Sequence, residues 1–428
     1  MTGETGTVST PPPLLGSFFL AGFECSTHLR GRDRQRLDLA ISTGHERFAR
    51  EDYRRLHSVG IAGARDGVPW YRVDRGGGSY DWSSVASMLR AARETRTTVV
   101  WDLLHFGFPE GLDVFSPAFI ERFRNFARAF AKLASSETDQ TLFVAPVNEI
   151  SFLSFAGGDA AFFNPFVHGR GDDLKAQFVR AVLAATAEIR AVAPRARMIQ
   201  PEPVIDIIAH PTRPQDRLVA ENYRQSQFQA WDMIAGRARP DLGGSEDALD
   251  IIGMNYYVQN QWIHNGNVLI PSHPQHLPLR YMMREVWLRY QRPLFIAETG
   301  IEGDARPEWL RYIGRETRAA IRLGAPVQGI CLYPIVNHPG WEDDRHCTNG
   351  LWDYADMGGA RAIYEPLAIE LARQQRFFDG REVPDPSELI VAESDVIAKD
   401  ELAVLDSAAI DLNEFTASTR KETPEGRA

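Results

Sequence analysis

Short runs of apolar and β-branched residues alternate along this chain with longer stretches whose apolar positions recur at helical spacing. That alternation is the pattern of repeated βα units, in which parallel strands close beneath a layer of helices. Strands are predicted at Phe18–Phe23, Gly63–Val68, Thr98–His105, Leu142–Asn148, Ala196–Pro201, Ile251–Asn255, Pro293–Glu298 and Val327–Tyr333. Helices are predicted at Glu51–Val59, Trp82–Glu94, Pro117–Ala134, Leu174–Val192, Asp216–Ala235, Met282–Tyr290, Pro307–Leu323 and Pro366–Gln374. Ser116 before Pro117 has the form of an N-cap followed by a first-turn proline. Eight such units predict a single (β/α)8 barrel spanning 15–380. The Thr-, Gly- and Pro-rich residues 1–14 are expected to form a disordered leader, and the acidic, aromatic-poor residues 381–428 a disordered tail.

Chemistry in such a barrel is carried where the strands end at their C-terminal side. The residues falling there are polar and aromatic: Arg65 and Asp66 on the second strand, Trp101, Asp102 and His105 on the third, Asn148 and Glu149 on the fourth. Glu202 follows the fifth strand, Asn255, Tyr256 and Tyr257 the sixth, Glu298 ends the seventh, and Asn337, His338 and Trp341 follow the eighth. Glu149 and Glu298 thus face each other across a barrel mouth, the arrangement for double displacement at a sugar's anomeric carbon, with a separation of about 5–5.5 Å expected for retention. The two need opposite protonation. Arg65 and the Tyr257 hydroxyl are expected to keep Glu298 ionised, while burial and the charge opposite keep the proton on Glu149. Trp101 reads equally well as core or platform, Glu202 as a supporting acid or a solvated charge, and Tyr256 as structural.

Composition narrows the partners. A net charge of -10 gives no electrostatic reason for nucleic acid or an anionic membrane, so a small neutral substrate is expected. Three cysteines, Cys25, Cys331 and Cys347, are too few and too scattered for a disulfide scaffold, and read as inert thiols in a cytoplasmic protein. The apolar segment Leu14–Phe23 lacks preceding Lys or Arg and reads as the first strand rather than a signal peptide, and no stretch reaches the length of a membrane span. No phosphate-binding Gly-rich motif is present, Gly76-Gly77-Gly78 reading as a turn, so no cofactor is expected. His338 and His346, with Glu342, Asp343 and Asp344 between them, match no metal-ligand spacing, and no metal is expected either.

These stretches resemble the clan A retaining glycosidases, most closely glycoside hydrolase family 1, the β-glucosidase family. Val147-Asn148-Glu149-Ile150 resembles that family's strand-four pair, Ile296-Ala297-Glu298-Thr299-Gly300 its nucleophile motif, and Gly253-Met254-Asn255-Tyr256-Tyr257 its strand-six motif, in which the second Tyr supports the nucleophile. His105 in Leu104-His105-Phe106-Gly107 is similar to the family's sugar-binding His, and Trp341 followed by Gly350-Leu351 to its stacking Trp and Gly-Leu segment. The resemblance implies that Glu149 is the acid/base and Glu298 the nucleophile. It also implies that His105, Asn148 and Trp341 bind substrate, Asn148 at the 2-hydroxyl, and the strand-end positions put Arg65, Asn255 and Tyr257 with them among the expected substrate-binding residues. Three positions depart from it: Ile150 stands where Pro is usual, Thr299 where Asn is usual, and the strand-one Gln has no counterpart, its work falling to Glu24 or His28. The expectation is therefore a divergent retaining β-glycosidase. Two alternatives are a carbohydrate-binding barrel without catalysis and a transglycosylase using the same residues.

Overall fold

Residues 10–382 are described by the structure, a computed structural model. Residues 1–9 and 383–428, which hold most of the expected leader and nearly all of the expected tail, lie outside the described residues. Thr10–Leu14, assigned to the leader, are bonded to the barrel: the Thr10 hydroxyl donates to the Phe378 carbonyl (2.8 Å) and the Leu14 N–H to the Gln328 carbonyl (3.2 Å).

Eight strands form a closed parallel barrel: β1 (Phe19–Gly22), β2 (Gly63–Gly67), β3 (Thr98–Asp102), β4 (Phe143–Ala145), β5 (Arg197–Pro203), β6 (Ile251–Asn255), β7 (Leu294–Thr299) and β8 (Val327–Leu332). Each strand pairs with its neighbours in sequence, and β1 closes the ring on β8 with Leu20 opposite Cys331. Side-chain alternation divides the core in two. Leu20, Val100, Phe143, Ile199, Phe295 and Cys331 fill the barrel interior, while Val99, Trp101, Val144 and Ile296 point outward beneath the helices.

The outer layer consists of α1 (His45–Ser58), α2 (Ser83–Thr95), α3 (Pro117–Glu137), α4 (Gly171–Val192), α5 (Arg217–Gln225), α6 (Gln229–Ile234), α7 (Leu279–Tyr290), α8 (Arg306–Arg322) and α9 (Glu365–Phe378). In α3, Phe119, Phe123, Phe126 and Phe130 recur at spacings of three and four and are fully buried, the apolar stripe that docks a helix on a sheet. None of the described helices is long and apolar enough to cross a membrane.

Several boundaries differ from the sequence reading. α1 starts at His45, after Gly44 in the left-handed region (φ 71°), and Phe48 kinks its first turn. The helix expected over 216–235 is two, parted by a 3-10 turn at Ser226–Phe228. β3 ends at Asp102 rather than His105, because the chain leaves the sheet and Phe106 turns through positive φ (66°).

At the C-terminal end of β2 a buried charge network ties the hairpin at Trp352–Ala355 and Arg361–Ile363 to the barrel. His45 places Nδ1 2.8 Å from Asp52 and Nε2 2.7 Å from Asp66; Arg361 donates to both Asp52 oxygens and Tyr53 to Asp66. Burial works against charge on His45, but Asp66 and Asp52 outweigh it and lift its pKa to about 9.

Candidate active site

Arg65 is the hub of the mouth. It lies on β2 with an inward-facing side chain that is 1% exposed, so its guanidinium must satisfy its donors within the protein. Nε and Nη2 donate to the two oxygens of Asp102 on β3 (3.0 and 2.6 Å), Nη2 also to Asn148 Oδ1 (2.7 Å), and Nη1 to Glu298 Oε1 (2.6 Å). The second oxygen of Glu298 accepts from the Tyr257 hydroxyl (2.8 Å). Glu298 reaches the mouth through an irregularity in β7. Phe295 and Ala297 point into the barrel, and a register shift against β6 between Ile296 and Glu298 re-aims the next side chain.

Glu149 stands on the far side of the same network. Asn255 Nδ2 donates to its Oε1 (2.8 Å) and lies 3.5 Å from Asn148 Oδ1. Burial raises the pKa of both glutamates. Arg65 and Tyr257 pull Glu298 back toward the ionised form, while Glu149 has the Asn255 bond and feels the charges of Glu298 and Glu202. The Glu149 carboxyl is thus pushed further above the ordinary carboxylate range than that of Glu298.

Glu149 is in the left-handed backbone region (φ 47°, ψ 61°) and begins a short helix, Ile150–Leu153. The first two free N–H groups of that helix are bound by one side chain: Ile150 N donates to Glu202 Oε1 (2.8 Å) and Ser151 N to Oε2 (2.9 Å). Glu202 lies on β5, fully buried, and accepts a further bond from Gln200 Nε2 (3.1 Å). Burial raises its pKa to about 7 against the opposing pull of the Ser151 N–H, Lys175 and the Ile150 N–H.

His105 packs at the other flank. Nδ1 is 2.9 Å from Asp102 Oδ2, a carboxylate that can only accept, so this nitrogen carries the proton. Asn148 Oδ1 is taken by Arg65, which leaves Asn148 Nδ2 to donate to His105 Nε2 (3.1 Å). Glu24 Oε1 accepts from Ser26 N (2.9 Å) and lies 3.8 Å from His105 Nε2. Cys25, read from sequence as an inert thiol, is part of this site: its Sγ is 3.2 Å from His105 Nδ1 and 3.8 Å from the Tyr333 hydroxyl. Among the described residues, Cys25, Asp102 and His105 are a group whose donor atoms converge within 4.8 Å, but Arg65 already occupies the cationic place beside Asp102. His346 is paired with Asp353 (2.8 Å), and His338 with the Pro339 carbonyl and Asn349.

The structure thus gathers Arg65, His105, Asn148, Glu149, Asn255, Tyr257, Glu298 and Glu24 around one mouth. Trp341 stands apart from the bonded network, its ring packed edge-on against Phe106 (5.7 Å), Phe163 (5.7 Å) and His28 (5.2 Å). Phe106 adjoins His105, so this aromatic cluster borders the mouth. Sequence reasoning missed Tyr333, which follows β8 and whose ring lies beside Gly22 of β1; a Cβ at residue 22 would sit 1.9 Å from it. Asp102, expected at the end of the third strand, is bonded into the mouth by Arg65, whereas Trp101 is core against Phe130. Tyr256 is structural: it is buried, stacks on Trp309 and is bonded by Gln261.

No family model matches the sequence, and no curated protein does. Solved structures do match. A family 1 β-glucosidase from Thermotoga maritima superposes with a TM-score of 0.70 at 12% identity, covering 88% of this chain and 100% of that one. The β-glucosidase from the same organism in complex with glucoimidazole gives 0.68 at 13% identity over 87% and 98% of the two chains. The AHE enzyme from Alicyclobacillus herbarius gives 0.66 at 15% identity over 84% and 97%. At these identities the likeness is one of architecture: this chain has the (β/α)8 fold of the family 1 β-glucosidases.

Proposed function

We propose that the protein is a retaining β-glycosidase acting on a small glycoside. The observation that carries this reading is the asymmetric treatment of two buried glutamates at one barrel mouth. Glu298 is clasped on one oxygen by Arg65 (2.6 Å) and on the other by Tyr257 (2.8 Å), which favours a ready nucleophile. Glu149 holds its proton through burial and the charge opposite, which favours a general acid.

In the first step a Glu298 oxygen attacks the anomeric carbon while Glu149 passes its proton to the glycosidic oxygen. The bond to the leaving group breaks, and a glycosyl ester forms on Glu298. In the second step Glu149, now ionised, takes a proton from water, whose oxygen displaces Glu298 and restores both glutamates. Asn148, locked by Arg65 and His105, is placed to present its amide edge to the sugar, and Glu24 offers a carboxylate to its hydroxyls. An acceptor alcohol replacing water in the second step gives transglycosylation by the same residues.

The test is a panel of 4-nitrophenyl β- and α-glycosides with Glu298→Ala alongside. Turnover of a β-glycoside, lost in the variant and recovered with azide as the inverted glycosyl azide, supports the reading. Sugar binding without turnover across the panel would replace it with the non-catalytic barrel.

A further inference from the structure

A left-handed backbone at a residue with a side chain is strained and persists only where the surroundings hold it. At Glu149 the restraints come from β5. The Glu149 N–H donates to the Pro201 carbonyl (3.0 Å), and the next two N–H groups close on the two oxygens of Glu202. Gln200 Nε2 bonds both the Val147 carbonyl and Glu202 Oε1 (3.1 Å each), clamping the chain from the residue two before Glu149 to the residue two after it. Ile150 donates the N–H that a proline at this position would lack, and a proline would disfavour the conformation Glu149 adopts. Glu202 is wholly removed from water, which makes a solvated surface charge untenable and a structural carboxylate costly without a task.

We propose that Glu202 is a positioning residue for the acid/base. Through the Ile150 and Ser151 N–H groups it holds the turn that aims the Glu149 carboxyl, and its charge helps keep the proton there. The inference rests on the glycosidase reading, in which Glu149 protonates the leaving group. The groups facing Glu202 are the two N–H groups, Gln200 on β5, Lys175 on α4 and Glu149 itself. Those acting on Glu149 are Glu298, Asn255, Glu202 and Arg65. With a pKa near 7, Glu202 changes charge in the range where an acid/base must keep its proton.

Two substitutions separate reach from charge. Glu202→Gln keeps the length but removes the charge and one of the two acceptors, whereas Glu202→Asp keeps the charge but is one methylene short of bridging both N–H groups. For the sugar that the panel identifies, phenyl and 2,4-dinitrophenyl β-glycosides are compared, since only the poorer phenolate leaving group needs a proton. Both variants are expected to lose about 10–100-fold in kcat/KM on the phenyl glycoside while staying within about threefold on the dinitrophenyl glycoside, a fraction of what a general acid contributes. Equal losses on both substrates, or no loss on either, would overturn the proposal.

A second readout needs no turnover. The carboxyl carbon of Glu149, assigned by difference against Glu149→Gln in 13C-glutamate-labelled protein, is titrated in the wild type and in Glu202→Gln. The wild-type signal is expected to show a second inflection that disappears in Glu202→Gln, which separates it from any inflection due to Glu298, and the midpoint is expected to fall in the variant. A single inflection in the wild type sinks the proposal even if neither variant folds. A wild type that turns over nothing but shows the coupled titration would remove the glycosidase reading and leave the link between Glu202 and Glu149 standing.

Discussion

Replacing Arg65 with Met tests the electrostatics of the mouth most directly, because it keeps an unbranched stem and removes the guanidinium, the cation bonded to both Glu298 and Asp102. Nη1 lies 2.6 Å from Glu298 Oε1, which puts the charge centres about 4 Å apart; at an effective dielectric constant near 20 this attraction is ~4 kcal/mol. Converted at 1.36 kcal/mol per unit, it is a ceiling of ~3 pK units, and relaxation with water entering the gap lowers the expected shift to about 1–2 units. The sign follows from the role. Glu298 must be ionised to attack, so kcat/KM falls as pH drops through its pKa; without Arg65 that pKa rises, and the acid limb moves to higher pH. The assay is kcat/KM against pH on the best 4-nitrophenyl β-glycoside, with thermal melting alongside, since two buried carboxylates left without their cation cost about 3–5 kcal/mol. An acid limb that stays in place while activity falls would refute the reasoning, leaving Arg65 as scaffold only.

Three further outcomes are expected. Tyr257→Phe removes the bond to Glu298 Oε2 and should lower kcat/KM about 10–100-fold, as expected for a hydrogen bond to a charged group; steady-state kinetics with an unchanged melting temperature checks this. His45 has a folded pKa of about 9 against an ordinary value of 6.5, so its contribution is fully present below pH 6.5 and is lost as pH rises toward 9. The wild-type melting temperature should decline across that window, and the decline should flatten in His45→Gln. Gly22→Ala drives a methyl group to within 1.9 Å of the Tyr333 ring and should destabilise the fold by about 1–3 kcal/mol or more, read by denaturant titration.

The barrel was legible because its strands are short apolar runs with β-branched residues and its helices carry a second period, as Phe119 to Phe130 illustrate. The two glutamates were legible because each stands at the C-terminal side of a recognisable apolar run, Glu298 within β7 and Glu149 four residues beyond the end of β4. Other features depended on contacts that no local pattern encodes. Tyr333 and Cys25 meet because β1 closes on β8, across some three hundred residues of chain. The early end of β3 follows from the left-handed Phe106, a residue with no turn preference to announce it. Trp341 was expected at the sugar from the family resemblance; that its ring packs among Phe106, Phe163 and His28 at the border of the mouth is set by tertiary contacts. Glu202 was equally readable as supporting acid or surface charge, since burial is a property of the assembled barrel.

Closure of the ring also bears on connectivity. β1 meets β8 through the same parallel ladder that joins every other neighbouring pair, so the sheet has no seam. At the bottom of the barrel Phe18 stacks on Phe378 at 4.1 Å, and the Thr10 hydroxyl touches the Phe378 carbonyl, so the two extremities of the described barrel are already neighbours. Which βα unit comes first is therefore a matter of genetics rather than geometry. A circular permutant that links these extremities and opens a loop on the face opposite the glutamates would keep all eight strand pairings and the whole mouth.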